Sequence, residues 1–185
     1  QAGRIDQTHV QHHNLTPNDW AAASSSMPKI PVHNMVVSDT CDGLQDVKAA
    51  ISKWASEGIK VVFIDYLQLI EAEGENRNQA VSFISRQLKK LSVRLSIHIM
   101  ALSQLNRQVE GRGDRIPKLS DLRESGAIEQ DADIVMLMWR GEENGRETDE
   151  AHIHVAKHRG GPKGYADLTF VGAYTTFTEW KEVAI

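Results

Sequence analysis

Two polar side chains stand directly after apolar runs, and their types suit phosphate chemistry. In Lys60-Val-Val-Phe-Ile-Asp-Tyr-Leu-Gln-Leu-Ile70, four apolar residues lead straight into Asp65. Ile97 to Leu102 reads as a second buried strand, ending in Ser103-Gln104. A carboxylate orders the hydration shell of Mg2+. In nucleotide hydrolases a carboxylate at a strand end serves the Mg2+ of a bound triphosphate. An amide donates and accepts, so Gln104 can contact a γ-phosphate or its attacking water and report which is present. The plain alternatives are a core strand with a polar cap and an ordinary strand-end amide.

Two further segments carry charge with a possible chemical use. Lys157-His-Arg-Gly-Gly-Pro-Lys-Gly164 places two cations, Lys157 and Arg159, two residues apart. On a strand such residues share a side. The pair can clamp a phosphate, including one held by another subunit, or can simply form a basic hairpin tip. Upstream, Arg123 beside Glu124, Ser125 and Gly126 can offer a turn of donors to a phosphodiester backbone, although acidic residues follow closely. Taken alone, that segment reads as a solvated helix start. Residue 66 is Tyr, so the glutamate that many nucleotide hydrolases place after the Mg2+ aspartate is missing here. A general base must then come from elsewhere, most simply from upstream of Gln1. His152 and His154 share a strand face and His12-His13 are adjacent, without Cys partners or H-E-x-x-H spacing. No structural zinc is expected.

Secondary structure must bring these groups together. Thr16-Pro17-Asn18-Asp19 is a helix start, with Trp20, Ala23 and Met27 on one face and Pro28 as its end. Residues 32–37 read as a short strand. A helix follows from Asp42, with Leu44, Val47, Ile51 and Trp54 on one side and Gly58 as its stop. The run before Asp65 reads as a strand buried on both faces, as in a parallel sheet flanked by helices. If the runs before Asp65 and Gln104 are parallel neighbours, both side chains emerge on the ligand-binding edge. After a polar loop from Glu71 to Asn78, a helix over 79–95 carries Ile84, Leu88, Leu91 and Leu95. Its Arg86, Lys89, Lys90 and Arg94 read as a solvated face. The polar stretch Asn106 to Lys118 reads as a mobile loop. Ile134 to Trp139 is a third apolar strand, Gly141 to Glu150 an acidic turn, and Ile153 to Ala156 with Ala166 to Val171 a late antiparallel pair. The expectation is an α/β fold, a sheet flanked by helices with mixed strands at one edge, in one domain over 1–185.

The chain has 185 residues, 41% hydrophobic and 25% charged, which is ordinary for a globular domain. No apolar run reaches the roughly 20 residues needed to span a bilayer, and no signal-peptide pattern opens the chain, so no membrane partner is expected. One cysteine, Cys41, excludes an internal disulfide and fits a reducing compartment. A net charge of −4 means that any nucleic-acid contact must come from a local patch or from backbone amides. The sequence contains no G-x-x-x-x-G-K-[ST] phosphate loop and starts at Gln1 without Met, so an upstream part is expected.

Four separated segments share one resemblance. Val-Val-Phe-Ile-Asp65-Tyr-Leu-Gln-Leu-Ile, Ile-Met-Ala-Leu-Ser-Gln104-Leu-Asn-Arg, Leu-Ser-Asp-Leu-Arg123-Glu-Ser-Gly-Ala-Ile-Glu-Gln-Asp-Ala-Asp and Ala-Lys157-His-Arg159-Gly-Gly-Pro resemble, in type, order and spacing, motifs of the DnaB-type replicative helicases. The resemblance covers essentially the whole chain, and the third segment is its most specific part. It implies a RecA-like P-loop NTPase core, with a mainly parallel central sheet and antiparallel strands at the C-terminal edge. It also implies a homohexameric ring that hydrolyses ATP with Mg2+, translocates on single-stranded DNA and unwinds duplex at the replication fork. By this resemblance Asp65 serves Mg2+ through water, Gln104 senses the γ-phosphate, and Lys157 and Arg159 reach the nucleotide of the adjacent subunit. Arg123, Glu124 and Gly126 resemble the DNA-facing segment of the channel. Primase and a helicase loader are implied as partners through regions outside this chain, in a cytoplasmic setting. His158 and Gly160 depart from the usual Gln and Asn of the last motif, which leaves the cations but not the turn's usual hydrogen bonds. With its phosphate loop and N-terminal domain expected upstream, the isolated chain is expected to be inactive as an ATPase. The other readings are a RecA-like recombinase or clock-type ATPase, and a non-catalytic remnant that binds DNA or helicase subunits.

Overall fold

A computed structural model describes residues 5–29, 34–74, 76–106, 109, 111–112, 114–143 and 145–180, excluding the side chains of 123–125. The described chain falls into two compact units. One contains residues 38–137 and 154–164; the other contains residues up to 37, then 138–153 and 165 onward.

The first unit is built on two parallel strands. β1 (Val61–Ile64) pairs with β2 (His98–Ala101), with Val61 opposite His98 and Ile64 opposite Ala101. Between them runs the crossover helix α4 (Arg77–Leu95), whose Asn76 side chain accepts from the Gln79 backbone N–H as N-cap. Helix α3 (Leu44–Ser56) precedes β1, its cap position taken by Gly43. Leu44, Val47 and Ile51 of α3 join Ile84, Leu88 and Leu91 of α4 and Val62 of β1 in one core. Helical spacing puts these residues on single faces, so each element buries a stripe. Ile51 and Ile84 are fully buried, and each such side chain contributes roughly 1.5–3 kcal/mol.

The expectation of strands buried on both faces needs correction. Val62 is buried, but Phe63 is 71% exposed and Val61 and Met100 are also exposed. Successive strand residues point to opposite faces. One face of the β1–β2 pair meets the α3–α4 core, and the other is exposed among the described residues.

The remaining strands form a four-stranded sheet in the order β3-β4-β5-β6: β3 (Ile134–Glu143), β4 (Arg146–His158), β5 (Gly164–Val171) and β6 (Thr176–Glu179). The sheet is antiparallel, and β5 pairs with β6 in the register Leu168 opposite Glu179. Among the described residues the parallel pairing consists of β1–β2 and an isolated bridge between Gly43 and Glu71, not the expected mainly parallel sheet. The reason lies in the connections. β3, β4 and β5 follow one another through short turns, which fit hairpins, whereas a parallel neighbour needs a long crossover such as α4. Most of the expected acidic turn at 141–150 is strand. The chain reverses at Gly145, whose φ of 77° is a conformation that favours glycine.

In the second unit, α1 (Gln7–Gln11) is capped by Asp6, and α2 (Pro17–Ser26) starts as its sequence suggests. Thr16 and Asp19 form a reciprocal capping box with Pro17 in the first turn. The expected apolar face of α2 is not buried: Trp20 is 60% exposed, while Asp19 and Ser26 are the buried positions. Asp19 turns inward to bond Thr16 and lies 2.9 Å from His9 Nδ1. Residues 34–37 of the expected strand at 32–37 form no strand, and 32–33 lie outside the described residues.

Candidate nucleotide and DNA site

The carboxyl ends of β1 and β2 lie side by side. Leu102 donates its backbone N–H to Ile64 O at 2.9 Å, and Leu67 donates to Leu102 O at 2.9 Å. The parallel ladder thus continues past the last paired residues on both strands. Asp65 leaves the end of β1 with an exposed side chain, and the Asp65–Tyr66 peptide is cis. Gln104 leaves the end of β2, also exposed. Both stand at the edge where parallel sheets bind ligands.

A residue that spacing alone does not single out fixes this edge. Gln68, in the 3-10 turn after β1, donates from Nε2 to Ser103 Oγ at 3.0 Å and to Gln104 O at 3.4 Å. Its Oε1 accepts the Gln104 backbone N–H at 3.3 Å. One amide thereby ties the exit of β1 to the exit of β2 and sets the backbone from which the Gln104 side chain projects. Gln68 and Gln104 also line a cavity of about 40 Å³ with Arg77, Asn78, Asn106 and Asp121. That volume suits about one water. Asp65 does not line it.

Beyond Gln104 the chain is tethered at its described residues. Asn106 donates its backbone N–H to Asp121 O at 3.1 Å. Asp121 is only 6% exposed and receives a bidentate Arg112 guanidinium at 3.0 and 2.5 Å, plus the Lys118 backbone N–H at 2.7 Å. Burial raises the Asp121 pKa, but the Arg112 and Lys118 bonds outweigh it and hold the carboxyl below its ordinary value. Val109 is buried as well. Residues 107, 108, 110 and 113 of the expected mobile loop lie outside the described set.

From Asp121 the chain passes through a 3-10 segment, Leu119–Ser125, directly into α5 (Gly126–Asp131). Leu122 and Ile128 anchor the two pieces in the core. Arg123 and Glu124 lie on the 3-10 backbone; their side chains are outside the described set. A Cβ added at Gly126, the first residue of α5, would meet nothing within 4 Å.

Lys157 and Arg159 come together at the other end of α5. Lys157 Nζ donates to Glu129 O, and to Gln130 O at 3.3 Å. Arg159 donates from Nη2 to Gln130 O at 3.3 Å, from Nη1 to Asp133 Oδ1 at 3.2 Å, and from its backbone N–H to Asp133 O at 2.8 Å. Cations at a helix C-terminus satisfy carbonyls that have no helical partner and oppose the dipole. The two cations do share a side, and they engage their own chain. Arg159 remains 58% exposed. His158 lies in the turn that follows: its Nδ1 is 3.0 Å from Pro162 O, and its ring approaches so closely that a Cβ on Gly161 would stand 2.4 Å from it.

Asp133 completes this cluster, and nothing in its local sequence marks it as a site residue. Lys89 of α4 reaches its Oδ2 at 2.5 Å, opposite Arg159 on Oδ1. The Lys89 bond, then the nearby positive charges, hold the Asp133 carboxyl below its ordinary pKa. Lys89 is thus an ion-pair partner, not part of a purely solvated face.

The family model described as DnaB-like helicase C terminal domain matches residues 1–179. The chain is 39% identical over 183 residues to the replicative DNA helicase DnaB of Geobacillus stearothermophilus, covering 95% of this chain and 40% of that protein. It is 40% identical over 184 residues to the replicative DNA helicase DnaC of Bacillus subtilis (strain 168), again covering 95% and 40%. Among solved structures, a DnaB-like replicative helicase described with its interactions with primase superposes with a TM-score of 0.83 at 33% identity, covering 97% of this chain and 46% of that one. A second solved structure, of an ATPase domain, gives 0.84 at 33% identity, covering 97% and 67%. The chain spans about 40% of the length of the two curated relatives. It belongs to the DnaB-like helicase C-terminal domain family.

Proposed function

We propose that this chain forms part of the ATP-driven motor of a replicative DNA helicase, which moves along single-stranded DNA and separates duplex at the fork. The observation that carries this reading is the adjacency of the β1 and β2 exits, with Asp65 on one and Gln104 on the other. A carboxylate and an amide at neighbouring parallel strand ends suit a Mg2+-triphosphate lying along that edge. The small cavity beside Gln68 is far below the roughly 300–1,000 Å³ of ligand pockets, so the nucleotide is assigned to the open edge.

In this reading Asp65 accepts hydrogen bonds from water on Mg2+. The Gln104 amide N–H donates to the γ-phosphate, and its carbonyl oxygen accepts from the attacking water. The bonded path from Gln104 through Asn106 and Asp121 to residues 119–126 supports a link between phosphate sensing and DNA contact. There Arg123, Glu124 and Gly126 are assigned to the phosphodiester backbone. Lys157 and Arg159 are assigned to the nucleotide of the adjacent subunit in a homohexameric ring, where they stabilise charge developing on the transferred phosphoryl group. ATP and Mg2+ are the assigned cofactors, and primase, which a similar helicase contacts, is an assigned partner of the intact protein. The phosphate loop and the catalytic base are assigned to other parts of that protein.

The test is Arg159→Ala in the intact protein. ATP turnover is expected to fall at least about 10³-fold, the scale of a removed arginine finger, while nucleotide binding stays close to the parent's. Turnover equal to the parent's would remove the assigned role. A duplex-unwinding assay run beside a strand-exchange assay separates the helicase from a recombinase on the same fold.

A further inference from the structure

We propose that Asp133 is a positioning residue: it fixes the Arg159 guanidinium to the foot of α5, so that movement of the segment at residues 119–126 is passed through this short helix to the two cations. The proposal rests on the functional reading above for what Arg159 does.

The contacts are specific. α5 has six residues and begins where the 3-10 segment ends, so no flexible connection separates them. Two carbonyls of its last turn, of Glu129 and Gln130, receive Lys157, and that of Gln130 also receives Arg159. Asp133, two residues beyond the helix, receives Arg159 through both its side chain and its backbone carbonyl. A residue bonded at both its backbone and its side chain has little freedom to reorient. Lys89 holds the other carboxylate oxygen from α4, and Ser85 of α4 donates to Asp131 Oδ2 at 3.1 Å. The foot of α5 is thus braced on a 19-residue helix, while its head is the candidate DNA-facing turn.

Arg159 is not consumed by these bonds. Each terminal guanidinium nitrogen carries two N–H groups, and each makes one of the contacts described. The remaining donors sit on a side chain that is 58% exposed. The guanidinium is therefore oriented by its own chain while donors remain for a phosphate outside it. Holding a charged group in place before reaction lowers the reorganisation needed when charge develops. Misplacing such a group by about 1 Å can cost roughly 100-fold in rate.

The experiment compares ATP turnover with and without single-stranded DNA in the intact protein and in Asp133→Asn, which keeps shape and removes charge. The expected result is a roughly 10- to 100-fold loss of DNA-stimulated kcat, with the KM for ATP within about twofold, because ground-state binding is not the function assigned. Lys89→Met is the companion: it removes the brace but leaves the Arg159 contacts, and is expected to retain most of the stimulation. Should Asp133→Asn fail to assemble, Asp133→Glu keeps the charge and shifts the carboxylate by one methylene. It is then expected to lose stimulation by severalfold in an assembled protein. Full DNA stimulation in an assembled Asp133 variant overturns the proposal, as does equal loss in Lys89→Met and Asp133→Asn. Arg159→Ala separates the two readings. If it is inactive while Asp133→Asn behaves like the parent, only the positioning role falls; if Arg159→Ala itself turns over normally, the trans-acting role falls with it.

Discussion

Asp121 and Asp133 show how single carboxylates are used as anchors in this chain. Each accepts from cations that come from distant positions or other elements, and each is held below the ordinary carboxyl pKa of 3.8. A depressed folded-state value means that these groups stabilise the fold fully above the unfolded pKa. That contribution is lost as pH falls below about 3.8 and through the lower folded values. Acid titration of the folded chain, followed by circular dichroism, is expected to show a loss of stability in this range. Asp121→Asn should flatten the slope there. An unchanged slope in the variant would mean that the Arg112 pair contributes nothing to acid lability.

Asp65 and Gln104 are legible in the sequence because each ends an apolar run, a local pattern. Gln68 and Asp133 are not, because their partners lie 26 to 44 positions away. Spacing can place a side chain on a face of its own element, but it does not say which other element that face meets. The same limit applies to Lys89. Its position off the apolar stripe of α4 is readable, whereas its carboxylate partner depends on where Asp133 folds back.

At the scale of elements, α3 and α4 are determined by a 3.6-residue apolar period that survives in the core. Ile84→Ala is expected to destabilise the folded chain by about 2–5 kcal/mol, because the site is fully buried. Phe63→Ala, on the open face of β1, should change stability by less than about 1 kcal/mol. Urea denaturation of the two variants checks the contrast; similar losses would mean that Phe63 is packed. The β3–β4 hairpin departs from its sequence reading for a physical reason. Charged residues from Arg140 to Glu150 look like a loop, yet an antiparallel strand with a solvated face accommodates them, and the Asn144-Gly145 dipeptide is a hairpin signal within that stretch. In α2, the periodic Trp20, Ala23 and Met27 suggest a buried face that the inward-turned Asp19 contradicts. Pattern and structure agree on the pairing of β1 with β2, where a long crossover helix enforces parallel order, and part where hairpins set the strand order.

For the whole molecule, the acidic balance and the proposed function must be reconciled. A net charge of −4 gives no general attraction to DNA. Binding is then expected to depend on a ring that concentrates a few donors around one strand. Single-stranded DNA affinity of the intact protein should fall linearly in log–log terms with salt, with a slope of about −0.7 per phosphate neutralised. Fluorescence anisotropy across a salt series measures that slope, and Arg123→Ala should make it shallower by close to one such increment. A slope that does not change in the variant would remove Arg123 from the contact. Among the described residues no helix is long and apolar enough to cross a membrane.

The most direct measurement is a structure of the intact ring with Mg2+ and a non-hydrolysable ATP analogue. The expected result places the Asp65 carboxylate one water from the metal and the Gln104 amide within hydrogen-bond distance of the γ-phosphate, with Arg159 of the neighbouring subunit approaching the same phosphate. A triphosphate bound away from the β1 and β2 exits, with Asp65 and Gln104 facing only solvent, would contradict it.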